Sequence, residues 1–274
     1  KFIYWYSKIF KKKTNNIIEA DIIFSSSKPF EINNYPEKKF IFGPHFSILP
    51  NIDSLQLNNI HNNSIYIMPS KQAMNVWKNH FKFNNIPITY CPFGVNTDKF
   101  SPTQNTKENK KIFIYFKKRN PDELKFVKEF LSKRNIKYIE FKYGKYDEKY
   151  YINQLKKTKY GIWIGQHESQ GFALLEALSM NVPLLVWSTK FLWQEYKSTK
   201  YNNIHIRQIT NPYWDNTCGE FFFEKEDFEK TFNIFINKLN YYQPRKFILE
   251  NLSFQICKQK FDKLLNNYFN LNLS

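Results

Sequence analysis

The stretch GIWIGQHESQGFALLEALSMNVPLLVW, Gly161 to Trp187, restricts the fold more than any other part of this chain. Gly161 to Gly165 is an apolar run too short for a helix and reads as a strand buried on both faces. Gln166 to Gln170 is polar and breaks that pattern. Gly171 to Met180 then carries Ala, Leu and Glu, all strong helix formers. Asn181 and Pro183 stop the helix, and Leu184 to Trp187 is a second buried strand. Strand, loop, helix and strand in one sheet make a right-handed parallel crossover, so the expected class is α/β.

In open parallel sheets, ligands lie at the carboxyl ends of the strands. Here that edge is the loop Gln166 to Gly171. Backbone N–H groups of Ser169, Gln170, Gly171 and Phe172 would point out of the new helix, where its dipole favours an anion such as a diphosphate. Gly171 has no side chain to obstruct a close approach. Glu168 precedes the helix and Glu176 lies about a turn and a half inside it, a separation of about 10 Å at the helical rise. A nucleotide sugar presents hydroxyls on both sides of its diphosphate at that span, so one carboxylate can accept from the sugar and the other from the ribose. Taken singly, each Glu is an ordinary helix-end or solvated residue. Both together, with Gly171, small Ala173 and Ala177, and the strand after Pro183, favour the site.

The same stretch resembles the E-x7-E signature of the GT-B glycosyltransferases of the glycosyl transferases group one type. CPFGVNTDKFSP, Cys91 to Pro102, is similar to that family's interdomain segment, and YGKYDEKYYINQLKKTKYGIWIG, Tyr143 to Gly165, to the Gly loop, helix and strand ahead of the signature. The likeness covers residues 91 to 187 well and the ends in outline only. It implies two Rossmann-like domains with parallel sheets facing across a cleft, and a C-terminal helix returning to the N-terminal domain. The expected boundaries are a short acceptor domain over residues 1–100, a nucleotide-sugar-binding domain over 101–245, and returning helices over 246–274. Only about 95 residues precede the linker, so either the first domain is unusually small or residues upstream of Lys1 are missing.

The resemblance also implies roles. An Arg after the first strand of the second domain, and a Lys five or six residues later, hold the diphosphate; Arg119 and Lys125 have that spacing, Lys117 is an alternative, and the sequence leaves the choice open. Gly144 lies in the loop that approaches the base through its backbone. No Asp-x-Asp motif occurs in a plausible metal loop, and the family implies metal-independent transfer with no cofactor beyond the nucleotide sugar, the helix N-terminus and basic groups stabilising the departing diphosphate. Members with this signature generally retain anomeric configuration.

The N-terminal half is expected to carry the acceptor. In FGPHFSILP, Phe42 to Pro50, His45 follows a strand and is the candidate to contact the transferred sugar or carry a proton; a structural role is as common for a lone His. His167, beside Glu168, is the second candidate, or it orients the loop.

Further strands are predicted at Ala20 to Ser25, Lys39 to Phe42, Ser64 to Met68, Ile86 to Cys91, Lys111 to Phe116 and Lys137 to Lys142. Helices follow Ser70 to about Phe81, Pro121 to Leu131, and within Tyr242 to Leu271. NPYWDNTCGEFFF, Asn211 to Phe223, reads as a packed loop with a turn at Gly219. Three widely spaced cysteines, Cys91, Cys218 and Cys257, fit neither a disulfide framework nor a zinc cluster and suggest a reducing, cytoplasmic setting.

With 41 Lys and Arg against 24 Asp and Glu, the net charge of +17 attracts polyanions and anionic membranes. An AT-rich genome inflates Lys equally well. Three functions stay in view. The first is transfer of a hexose to a glycan or lipid-linked acceptor. In the second, the acceptor is nucleic acid. The third is a non-catalytic module on nucleotides or an anionic membrane surface, for which the opening KFIYWYSKIFKKK mixes aromatics and lysines as interfacial segments do.

Overall fold

The computed structural model describes residues 2–5, 21–25, 37–43, 63–80, 87–102, 111–194, 206–207 and 209–270. The chain divides into two compact units, Lys1–Phe93 with Cys257–Ser274, and Gly94–Ile256.

In the first unit β1 (Phe2–Trp5), β2 (Ile22–Ser25), β3 (Lys39–Phe42), β4 (Ser64–Met68) and β5 (Ile88–Tyr90) form a parallel sheet in that order. Ser70 caps α1 (Lys71–Asn75), its Oγ accepting from the Ala73 amide at 3.2 Å. The helical periodicity continues to His80 as a π-helical turn, Val76–His80, whose Trp77 packs buried near Tyr66. On one face Ile22, Ile41, Ile65, Ile67 and Cys91 form a core with Leu265 and Phe269 of the last helix, α7 (Phe254–Phe269). The returning C-terminal helix is thus part of this unit's interior. The Tyr268 hydroxyl donates to the Ser64 carbonyl at 3.1 Å and the Lys39 ammonium to the Phe269 carbonyl at 3.0 Å.

The second unit runs β6 (Lys111–Lys117), α2 (Pro121–Lys133), β7 (Tyr138–Lys142), α3 (Glu148–Leu155), β8 (Thr158–Gly165), α4 (Phe172–Ser179), β9 (Leu184–Trp187), β10 (Gly219–Phe222), α5 (Phe228–Asn237) and α6 (Pro244–Asn251). Asn120 caps α2, with Pro121 in the first turn. Side-chain alternation sorts the central strands. Ile112, Ile114, Ile162 and Ile164 face a core shared with Val127, Phe130, Phe228 and Phe235. The opposite face holds Phe113, Tyr115 and Trp163, with Tyr115 and Trp163 stacked at 3.7 Å between ring centroids. Gly161 makes room for Phe113, since a Cβ there would come within 2.2 Å of a ring atom.

The segment expected as a packed loop around Gly219 contains an edge strand instead: Gly219–Phe222 pairs in parallel with β9. Gly219 has φ 138°, and a Cβ would lie 2.0 Å from the Leu184 carbonyl oxygen, so only glycine lets the two strands approach.

The order β10-β9-β8-β6-β7 positions the site. The chain leaves β6 toward β7 and then crosses back to place β8 on the other side of β6. That reversal between β6 and β8 opens a crevice at their carboxyl ends. The described strands of the first sheet run in sequential order and contain no such reversal. Among the described residues no helix is long and apolar enough to cross a membrane, and Cys91, Cys218 and Cys257 are free and buried.

Candidate functional site

Lys117 ends β6 and Glu168 follows β8, so the two meet across the reversal. The Lys117 ammonium donates to both carboxylate oxygens of Glu168, at 2.8 and 3.0 Å, and lies 4.4 Å from the centre of the exposed Tyr143 ring. Only 11% and 12% of the two side chains is exposed. Burial raises the Glu168 carboxyl above its ordinary pKa, and Lys117 and Lys118 partly offset that rise. Beside it, burial and then the same two lysines push His167 down to about 3, so its imidazole is neutral across the physiological range.

Backbone bonds fix the loop. Gln166 N–H donates to the Lys117 carbonyl at 3.0 Å and Glu168 N–H to the Ile209 carbonyl at 3.2 Å. Gly171 ends the loop in the left-handed region, φ 86°, as the N-cap of α4. The first intrahelical bond, Leu175 N–H to the Gly171 carbonyl at 2.9 Å, leaves the preceding amides directed out of the helix end. Glu176 lies on the second turn, half-buried. Burial first, then the carboxylate of Glu148, push it up to about 7, with Lys99 acting the other way; Lys99 and Glu148 are themselves ion-paired.

Tyrosines crowd the ends of β6 and β7, where the sequence pointed to Lys117, Arg119 and Gly144 but to no tyrosine. The Tyr146 hydroxyl donates to that of Tyr115 at 3.1 Å, and the Tyr151 hydroxyl to the Ala173 carbonyl on α4 at 2.7 Å. Burial first, and then the charges of Glu176 and Glu168, raise the Tyr146 hydroxyl, with the hydrogen bond to Tyr115 acting the other way. The repeated Tyr of YGKYDEKYY was the available signal. A buried polar cluster of Ser188, Thr189, Thr210 and Asn211 beneath the Glu168 loop had none.

No family model matches the sequence, and no curated protein does. Solved structures do match. A glycosyltransferase from Rickettsia africae is 15% identical, with a TM-score of 0.57 over 93% of this chain and 78% of that one. TarM of S. aureus, solved with UDP and α-GlcNAc-glycerol, is 16% identical at a TM-score of 0.60, over 89% of this chain and 55% of TarM. The catalytic domain of Arabidopsis thaliana starch synthase IV, bound to ADP and acarbose, is 9% identical at 0.54, over 92% and 73%. The chain has the GT-B fold.

Within this GT-B chain, the structure gathers Lys117, His167, Glu168, Ser169, Gln170 and Gly171 at one sheet edge, with Phe172 exposed and Gln170 buried. Gly144 sits in the exposed turn after β7 with φ 73° and nothing within 4 Å of where a Cβ would lie. Lys125 is exposed on α2. The Arg119 guanidinium is turned inward, 2% exposed, onto two main-chain carbonyls and Glu123. His45 lies outside the described residues. Among the described residues no group of three or more His, Cys, Asp or Glu could hold a metal ion.

Proposed function

We propose that the chain is a glycosyltransferase moving a hexose from a nucleoside diphosphate sugar to a glycan, lipid-linked or other hydroxyl acceptor, without metal and with retention. The observation that carries this reading is the Lys117–Glu168 pair at the sheet reversal, next to a helix N-terminus and with Glu176 on the same helix. A diphosphate placed there is met by the ammonium of Lys117, by exposed Lys118 and by the amides of α4. As the sugar–phosphate bond breaks, these same groups stabilise the charge that collects on the leaving oxygen. Glu168, released from Lys117, accepts from sugar hydroxyls, and ionised Glu176 from the ribose. The turn at Gly144 receives the base. The departing phosphate takes the acceptor's proton on the same face, with the acceptor held by the N-terminal half, where His45 is the candidate contact.

The three solved structures above support the reading through their shared fold, and two of them hold a nucleoside diphosphate. The test is binding and slow hydrolysis of UDP-, GDP-, ADP- and TDP-sugars in EDTA, with Glu176→Ala as the control. One donor is expected to bind and turn over without metal, and the variant to bind it at least tenfold more weakly, about 1.4 kcal/mol. Absence of binding to all four overturns the reading. The net charge of +17 favours an acceptor that is itself anionic, nucleic acid or a lipid at a membrane surface. Transfer to duplex DNA with affinity falling steeply as salt rises would identify the first, and donor-dependent labelling of anionic vesicles the second.

A further inference from the structure

Arg119 follows β6 by two residues, yet its side chain is almost wholly buried. Lys118 between them has a left-handed backbone, φ 47°. That breaks the strand's alternation and turns the next side chain back under the sheet edge. There Nη1 donates to the carbonyls of Gly165 at 3.2 Å and Trp187 at 3.1 Å, the final residues of β8 and β9. Nη2 donates to Glu123 Oε1 at 2.7 Å, and the guanidinium lies 5.7 Å from the Trp187 ring. One planar fork therefore ties together the carboxyl ends of three adjacent strands.

The tie extends to the site. The Gly165 carbonyl also accepts from Thr210 Oγ1 at 3.1 Å, and Thr210 is fully buried. Thr210 N–H donates to Ser188 Oγ at 3.1 Å, and the carbonyl of its neighbour Ile209 receives the Glu168 amide. The start of the loop and, through Ile209 and Thr210, the Glu168 amide are thereby referred to one point, the end of β8.

We propose that Arg119 is a positioning residue that fixes the Gln166–Gly171 loop, and with it Glu168, by clamping the ends of β6, β8 and β9, while contact with the donor's phosphates falls to Lys117 and Lys118. The inference rests on the nucleotide-sugar reading for its consequence in turnover, though not for the clamp itself. Lysine cannot replace the clamp, because a single ammonium does not span two carbonyls and a carboxylate in one plane.

Two variants test it, Arg119→Lys and Thr210→Val, the second altering the same tie without touching a charged group. Hydrogen exchange in the ligand-free protein is expected to show the Glu168 amide opening about tenfold faster in both, with β7 amides unchanged. With the donor that the wild type accepts, both variants lose about tenfold in kcat with KM moved less than about threefold. The ratio of nucleoside diphosphate to nucleoside monophosphate affinity stays within about twofold of wild type, because no phosphate contact is removed. A tenfold fall of that ratio in Arg119→Lys alone would make Arg119 a phosphate ligand and overturn the proposal. Unchanged exchange at Glu168 in both variants overturns it too. Should Arg119→Lys lose its near-UV circular dichroism, Thr210→Val decides. If the wild type binds no nucleoside diphosphate, the donor reading falls and the exchange data still decide the clamp.

Discussion

Glu176 and His167 are displaced in opposite senses by the same physical cause, removal of charge from water. The Glu176 carboxyl, up from 4.5 to about 7, keeps in the folded chain a proton that the unfolded chain has released. Its contribution to stability is full below about pH 4.5 and is lost as pH rises through 7. His167, down from 6.5 to about 3, stays neutral where the unfolded chain is charged. Its contribution is present above about 6.5 and is lost as pH falls toward 3. Between pH 4.5 and 6.5 the two slopes oppose each other. Urea denaturation across that window is expected to show Glu176→Gln gaining stability with pH relative to wild type, and His167→Gln losing it. Profiles parallel to wild type would mean that neither group is desolvated as described. For a donor the same chemistry predicts tighter binding as pH rises through 7, when Glu176 can accept from a ribose hydroxyl in its charged form.

At the level of elements, the turn into α4 depends on one backbone conformation. Gly171 has φ 86°, yet a Cβ there would meet the Glu168 Cβ and Cγ only at 3.5 Å, an ordinary contact. The cost of Gly171→Ala is therefore backbone strain and not crowding, about 1 kcal/mol, and Gly171→Asn should cost less. Urea midpoints of the two variants check the order; equal or reversed costs would show that contact with Glu168 matters more than φ. This turn was legible beforehand, because a glycine between a polar loop and a run of helix formers has few other uses. So were β3, β4 and β9, whose apolar runs are bounded by polar or proline residues on the chain itself. The tip of β6 was not legible. Lys117, Lys118 and Arg119 are equivalent by composition, and which one faces the crevice is decided by the positive φ of Lys118, a residue type that carries no signal for it. β10 was obscured similarly: in GEFF the glycine suggests a turn, while the need for it comes from the Leu184 carbonyl on a strand 35 residues away.

For the molecule as a whole, the division of the chain has an energetic consequence. The first unit takes residues 257–274 into itself, and its apolar core is incomplete without Leu265 and Phe269 from α7. The second unit has its own core, built on Ile112, Ile114, Ile162, Leu185 and the phenylalanines of α2 and α5. Arg245 of α6 holds the segment just after the division, donating to the Thr97, Phe100 and Ser179 carbonyls at 3.2, 3.0 and 2.7 Å, so this unit starts on a fixed backbone. A cavity made under the last helix should accordingly loosen one sheet and spare the other. Leu265, fully buried, is the place to make it. Leu265→Ala is expected to cost about 2–5 kcal/mol, as for other buried leucines, because the methyl groups lost leave a space that the sheet can only partly close. Hydrogen exchange followed by mass spectrometry should then show faster exchange in peptides spanning β2, β3 and β4, with those spanning β6, β8 and β9 unchanged. If β6 to β9 lose protection to the same extent, the two units unfold as one. A donor site built on β6 and β8 would then share the fate of the C-terminal helix, although the core beneath that helix belongs to the other unit.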